Sequence, residues 1–424
     1  MAGGSCADPD DLPNGCLRVI HAQASRPRVI YWLRQPTPYY VTRLNAVAHR
    51  GNLDLEAWFS VERESDRSWS VDSGAWEFPA RYIPRRRSLG GLHVPTVELR
   101  RARPDLFILE YDRANLALGA LAGRATARRL AFLVLPNYDA WSQRTWWREA
   151  AKHFLFRAVD GAEVSGPEAS AMARRYGLPD DRSWRVDRSI SVTRYSRARY
   201  LSPDARQQGR DRLGLRGCVF LYVGRLWRGK GLDHLLDAYR RLRASNPEVS
   251  LLLVGDGVDE AHYRAQAATI PGVVFAGFVE PELLPNFYAL ADVFVFPTLG
   301  DPHGLVVEEA MLAAMPVISS SAAGEIRSRV PEGEAGFIVP PGDAEALEHR
   351  MATLAANPAL RAAMGKLGAN LASGRSDGRF AVQFEAFVAA VLAAPRRRSA
   401  SAQVADLLGH LVLASGGRMS ADGD

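Results

Sequence analysis

The feature that most constrains this chain is a recurrence: short runs of Val, Ile, Leu and Phe alternate with longer segments whose apolar residues return at helical spacing. A strand with one wet face alternates apolar and polar residues. A strand buried on both faces reads as a continuous apolar run, which requires helices on both sides of a parallel sheet. In the second half the runs are Val219 to Val223, Val249 to Val254, Val273 to Phe278, Val293 to Phe296, Val317 to Ser319 and Phe337 to Val339. Between the first two, Leu232, Leu235, Leu236, Tyr239 and Leu242 fall on one stripe, which predicts a helix packed on the sheet. The first half repeats the logic with Val29 to Leu33, Leu55 to Phe59, Leu106 to Leu109, Ala131 to Leu135 and Ala162 to Val164.

A chain of 424 residues, 47% of them apolar, is long enough to bury two cores. The expected fold class is α/β, with two doubly wound units facing across a cleft. The polar, arginine-rich stretch from Ser189 to Gly214 reads as their connection. The organisation expected is a loose leader over 1–26, a first unit over 27–199, a second over 200–378, a helix over 379–394 packing back on the first unit, and a disordered tail over 395–424 with at most a short helix at Val404 to Leu413. Ligands in such sheets sit outside the carboxyl ends of the strands, so the loops there are where chemistry is sought.

Composition excludes several classes. Cys6, Cys16 and Cys218 are too few and too scattered for a disulfide framework or a metal site, which fits a reducing compartment. The leader carries Asp8, Asp10 and Asp11 where a secretory signal needs a basic end and an apolar stretch. Its Asp8-Pro9-Asp10 has the form of a metal-binding Asp-x-Asp and is read as chance. No run reaches the ~20 apolar residues that span a bilayer. Net charge is +6, with arginine clusters at Arg85 to Arg87, Arg100 to Arg103 and Arg396 to Arg398. A solvated basic surface is the simplest reading, and anionic lipid is a partner it allows. The expected location is cytoplasmic, with peripheral contact at the inner face of the membrane and no nucleic-acid partner.

Two constellations carry chemistry. Gly224-Arg225-Leu226-Trp227-Arg228-Gly229-Lys230-Gly231 lies between a predicted strand and a predicted helix. Its glycines allow close backbone approach, while Arg225 and Lys230 add charge beside a helix start, a combination that suits a diphosphate. The second block runs from Pro297 to Met311 and holds Asp301, His303, Gly304, Leu305, Val306, Glu308 and Glu309. Asp301 and Glu309 are separated by seven residues that include a glycine turn, so both carboxylates can face one cleft and accept hydrogen bonds from vicinal hydroxyls. Glu308 and Glu309 can equally do no more than complement a helix dipole.

With Val254-Gly255-Asp256-Gly257, Phe275-Ala276-Gly277-Phe278-Val279, Pro316-Val317-Ile318 and the Gly336 to Gly342 segment, these blocks appear in the order seen in glycosyltransferase family 4, which the chain resembles over Leu215 to Gly342. The resemblance implies the GT-B fold, two Rossmann-like domains, and a retaining, metal-independent, hexosyltransferase-like enzyme that needs no cofactor and uses a nucleoside-diphosphate sugar as substrate. It implies that Arg225 and Lys230 hold the leaving diphosphate, that Glu309 binds the ribose and that Asp301 contacts the transferred sugar. Gly224, Gly257 and the amides from His303, Gly304, Leu305 and Val306 would complete the donor pocket, with Phe278 and Val279 against the base.

The chain departs from the family pattern in having Asp301 for glutamate, Ala314 for glycine and His303 for an aromatic residue; the lone histidine reads as structural or solvent-facing. On the acceptor side the candidates by position are Tyr39, Glu110, Asn137 and Tyr138, facing a saccharide, lipid-linked or small-molecule acceptor. Trp141, Trp146 and Trp147 are read as helix packing with a stacking role as the alternative. The rival readings are a nucleotide-sugar epimerase, a phosphorylase of the same fold, or a decayed nucleotide-sugar-binding protein.

Overall fold

The computed structural model describes residues 26–62, 73–83, 95–110, 116–136 and 145–418. Residues 1–25 of the expected leader, with Cys6, Cys16 and Asp8-Pro9-Asp10, lie outside them, as do Arg85 to Arg87, Asn137, Tyr138 and Trp141.

The first sheet contains β1 (Arg28–Leu33), β2 (Asp54–Phe59), β3 (Ala80–Tyr82), β4 (Leu106–Glu110), β5 (Arg129–Val134), β6 (Gly161–Val164) and β7 (Ser183–Arg185), in the order β3-β2-β1-β4-β5-β6-β7. All pairings are parallel. Along β1, Val29, Tyr31 and Leu33 enter one core while Ile30 and Trp32 enter another on the opposite face. Burial on both faces is why β1, β4 and β5 carry continuous apolar runs. The edge strands β3 and β7 carry no such run, because each is three residues long and none of those residues is fully buried.

The second sheet contains β8 (Cys218–Val223), β9 (Val249–Val254), β10 (Val273–Gly277), β11 (Val293–Phe296), β12 (Val317–Ser320) and β13 (Gly336–Val339), ordered β10-β9-β8-β11-β12-β13 and again parallel. The stripe Leu232, Leu235, Leu236, Tyr239 and Leu242 is buried on helix Leu232–Ser245. In both sheets the chain reverses direction about the first strand, between β1 and β4 and between β8 and β11. The loops leaving these four strands are therefore the natural binding crevices.

Val186 packs in the first core, whereas Ile190, Tyr195 and Ala198 pack in the second, so the chain crosses ahead of Arg199. It crosses back between Ala372 and Phe380, and the two crossings touch where the Ile190 amide donates to the Arg375 carbonyl at 3.4 Å. A second contact between the units is reciprocal. The Glu325 carboxylate accepts from the amides of Glu168 and Ala169 at 3.1 and 2.8 Å, and the Glu168 carboxylate accepts from the Glu325 amide at 2.8 Å.

Helix Asp377–Ala393 packs on helix Pro38–Arg50 and sends Phe380, Phe384, Phe387, Val388 and Val391 into the first core. The segment expected to be a disordered tail forms helix Ala400–Arg418, packed on helix Leu116–Thr126. Its small residues explain the docking: a Cβ on Gly409 would fall 2.2 Å from the Leu121 carbonyl oxygen, and Ala402 and Ala405 are buried. No helix among the described residues is long and apolar enough to cross a membrane.

Candidate functional site

The loops after β8 and β9 meet through their backbones. A Cβ on Gly255 would lie 2.0 Å from the Gly224 carbonyl oxygen, and both residues have positive φ, so neither position accepts a side chain without strain. Arg225 follows, its guanidinium carbon 5.5 Å from the centre of the Trp227 ring. The turn Arg228–Lys230 closes on Gly231, where φ is 71° and a Cβ would stand 2.1 Å from the Pro297 carbonyl oxygen. That contact brings the basic loop against the loop after β11.

There, Lys230 Nζ forms an ion pair with Asp301 and lies 5.6 Å from the centre of the Phe296 ring. Asp301 also accepts from the His303 amide at 2.8 Å. Burial pushes its carboxyl up, but Lys230 and the His303 amide outweigh burial and hold it below the usual aspartate range. The His303 amide is thus spent on Asp301 and is not free for a ligand. The amides of Gly304, Leu305 and Val306 donate to no acceptor among the described residues.

These residues line a cleft of about 820 Å³ that the first unit closes from the other side. The second unit contributes Gly224, Arg225, Lys230, Asp301, Phe278, Val279, His303, Gly304, Leu305 and Val306; the first contributes Tyr39, Tyr40, Arg43, Glu110 and Arg188. Gly257 stands outside this lining: a Cβ there would be 2.4 Å from the Leu226 carbonyl oxygen, so it serves the packing of the basic loop. Asn137 and Tyr138 lie outside the described residues.

Glu309 does not share the cleft surface with Asp301. It is fully buried, with one carboxylate oxygen accepting from the Tyr39 hydroxyl and the other from the Tyr288 hydroxyl at 2.8 Å. The reason is helical geometry: Glu309 projects from helix Val306–Leu312 toward the seam between the units, where Tyr39 of helix Pro38–Arg50 covers it. Burial raises its pKa against the lowering effect of the tyrosine hydroxyls. Glu308, the next residue, is equally buried and pairs with Arg329 at 2.7 Å and Arg375 at 3.0 Å. His303 is buried above this pair; burial and Arg329, against the opposing pull of Glu308, lower its pKa to about 4, which keeps the ring neutral. On the first unit, Glu110 ends β4 and accepts from the Arg34 amide at 2.7 Å and the Tyr40 hydroxyl at 3.1 Å.

Tyr288, Arg329, Arg43 and Arg188 belong to no local motif. Only folding brings them to these loops, and no spacing in the sequence signals them. Among the described residues no group of three or more His, Cys, Asp or Glu could hold a metal ion.

Two doubly wound parallel sheets that enclose a cleft, with a basic loop and an acidic loop at the switch point of one of them, define the two-domain α/β architecture of GT-B glycosyltransferases. Residues 217–357 match the family described as glycosyl transferases group 1. The GDP-mannose-dependent alpha-(1-6)-phosphatidylinositol monomannoside mannosyltransferase of Mycolicibacterium smegmatis is 30% identical over 262 residues, covering 59% of this chain and 67% of that protein. Mannosylfructose-phosphate synthase of Agrobacterium fabrum is 31% identical over 240 residues, covering 53% of this chain and 52% of that protein. Among solved structures, Anabaena HepE in complex with UDP superposes with a TM-score of 0.70 at 19% identity, over 85% of this chain and 99% of that one. Sucrose-phosphate synthase from Thermosynechococcus elongatus gives 0.66 at 21% identity, over 87% and 100%. The chain belongs to the group 1 glycosyl transferases and is a glycosyltransferase.

Proposed function

We propose that this chain transfers a sugar from a nucleoside-diphosphate donor to an acceptor hydroxyl with retention of configuration. The observation that carries the reading is the junction of Arg225, Lys230 and Asp301 at one end of the cleft, beside the open amides of Gly304 to Val306. In the proposed reaction the bond from the anomeric carbon to the diphosphate oxygen breaks as the acceptor oxygen bonds to the same face of that carbon. A donor phosphate oxygen takes the acceptor proton. Charge builds on the departing diphosphate, and Arg225 and Lys230 neutralise it there, so the reaction is written without a metal or cofactor. Asp301 then exchanges part of its contact with Lys230 for sugar hydroxyls, and Phe278 and Val279 lie against the base.

Glu309 is assigned to the ribose hydroxyls, which reach it only after the Tyr39 hydroxyl gives way. Binding of the donor is therefore coupled to movement at the seam between the units. The test is thermal stabilisation by UDP, GDP, ADP and dTDP, since a ligand of the folded state raises Tm by mass action. The GDP-mannose dependence named for the mycobacterial relative puts GDP first in the series. Release of nucleoside diphosphate only when an acceptor is present separates transfer from epimerisation; no shift with any of the four overturns the reading.

A further inference from the structure

The first-unit wall of the cleft holds a second cationic group, across from Arg225 and Lys230. Arg188 lines the cleft, yet it is only 2% exposed, and its Nε, Nη1 and Nη2 have no aligned hydrogen-bond acceptor among the described residues. Among the described residues its ion-pair partner is Glu163, with Nη2 3.1 Å from Oε1, an ion-pair distance without hydrogen-bond alignment. The other Glu163 oxygen already accepts from the Tyr31 hydroxyl at 2.9 Å. Arginine frequently engages a carboxylate through two parallel N–H donors of its planar fork. Here the fork meets Glu163 off-axis, at the wall of a ligand-sized cleft.

Arg43 stands beside it, 2% exposed and also lining the cleft. It donates to the Ser189 carbonyl at 2.6 and 3.1 Å, a neutral acceptor. Burial and then the neighbouring Arg188 lower the Arg43 pKa to about 10, whereas at Arg188 burial is outweighed by Glu163, which holds that guanidinium firmly charged. Glu110 and Asp377 also face this group, each engaged elsewhere: Glu110 by the Tyr40 hydroxyl and Arg34 amide, Asp377 by the Ser189 hydroxyl. Two buried cations that line one cleft, one of them with no aligned acceptor for its three nitrogens, make a site suited to an oxyanion.

We propose that Arg188, supported by Arg43, binds an oxyanion group of the acceptor, a phosphate carried by the molecule whose hydroxyl is glycosylated. This inference rests on the transferase reading, in which the donor diphosphate occupies Arg225 and Lys230 and leaves the opposite wall to the acceptor. Arginine recognises phosphate through parallel N–H donors, so the subsite would both select phosphorylated acceptors and fix which hydroxyl reaches the anomeric carbon. A soluble sugar phosphate and a phospholipid headgroup share this chemistry.

The test uses the full chain with inorganic phosphate as the probe and the best-binding nucleoside diphosphate at saturation, so that the donor site is filled. Glu163→Gln with Arg188→Gln removes both charges of the pair together and leaves no lone buried ion. Phosphate is expected to raise Tm beyond the nucleotide shift in the wild type and not in this double variant, which keeps the nucleotide shift. No added shift in the wild type, or an equal one in the double variant, overturns the subsite while the nucleotide shift alone continues to support the donor reading. Absence of the nucleotide shift overturns that reading and the acceptor role with it. Turnover then separates the sources: a hexose 6-phosphate against the free hexose, and anionic against zwitterionic phospholipid vesicles. A preference of roughly tenfold or more in kcat/KM for either phosphate-bearing member, lost in the double variant, supports the proposal and names the source. No preference in either pair refutes it.

Discussion

The hydroxyl of Tyr39 donates to the carboxylate of Glu309 across 270 residues of sequence, joining the first helix of one unit to the acidic loop-helix of the other. The contact sits at the seam, and it covers the carboxylate that the proposed donor would need. Tyr39→Phe removes the competitor. One such hydrogen bond contributes about 1 kcal/mol net, so nucleoside-diphosphate affinity is expected to rise roughly fivefold by calorimetry. Weaker binding in this variant would show that Tyr39 assists the nucleotide instead of excluding it.

Arg225→Ala and Lys230→Ala test the diphosphate grip. Loss of one preorganised group at developing charge costs about 10²–10³ in kcat, and each variant is expected to fall in that range. Lys230→Ala also strands Asp301, a half-closed carboxylate whose proton affinity should then rise. Near-normal turnover in both variants would falsify the proposed role.

His303 makes stability depend on pH. Its pKa is lowered to about 4 in the folded state, whereas an unfolded chain takes up the proton near 6.5. Its contribution is therefore fully present above about pH 6.5 and is lost as the pH falls through about 4, a change on the order of a few kcal/mol. Tm measured from pH 7 to pH 4 should decline less steeply for His303→Gln than for the wild type. Parallel curves would mean that the ring does not stay neutral in the fold.

Arg329 holds Glu308 and also donates to the carbonyls of His303 and Gly304, so it ties the loop to its helix. Arg329→Met breaks a buried pair from one side and is expected to cost about 3–5 kcal/mol in urea unfolding. Adding Glu308→Gln removes the buried charge then left to Arg375 alone and should recover part of that loss, since the partly exposed Arg375 can turn to solvent; a double variant no more stable than the single one would place the cost in the lost carbonyl contacts.

Much of the fold was legible because double-sided burial writes itself into consecutive residues: Val249–Val254 and Val293–Phe296 coincide with their apolar runs. The edge strands Ala80–Tyr82 and Ser183–Arg185 were not, since each is three residues long and none of those residues is fully buried. The tail was misjudged for a related reason. Its arginines suggested solvent, but Arg396 and Arg397 are tied to Arg124 and Asp160, and the helix after them docks through Ala402, Ala405 and Gly409.

The sequence by itself determined the class of fold, through apolar runs at strand spacing, and the residues of the two chemistry-bearing loops, because a strand-loop-helix turn concentrates its functional groups within a few positions. Only the tertiary structure decided how those groups are used. It spends the His303 amide on Asp301, buries Glu309 behind Tyr39, and sets Arg188 and Arg43 against the opposite wall. Each of these depends on contacts between residues far apart in the chain, whose geometry is fixed by how two sheets pack and not by any local spacing.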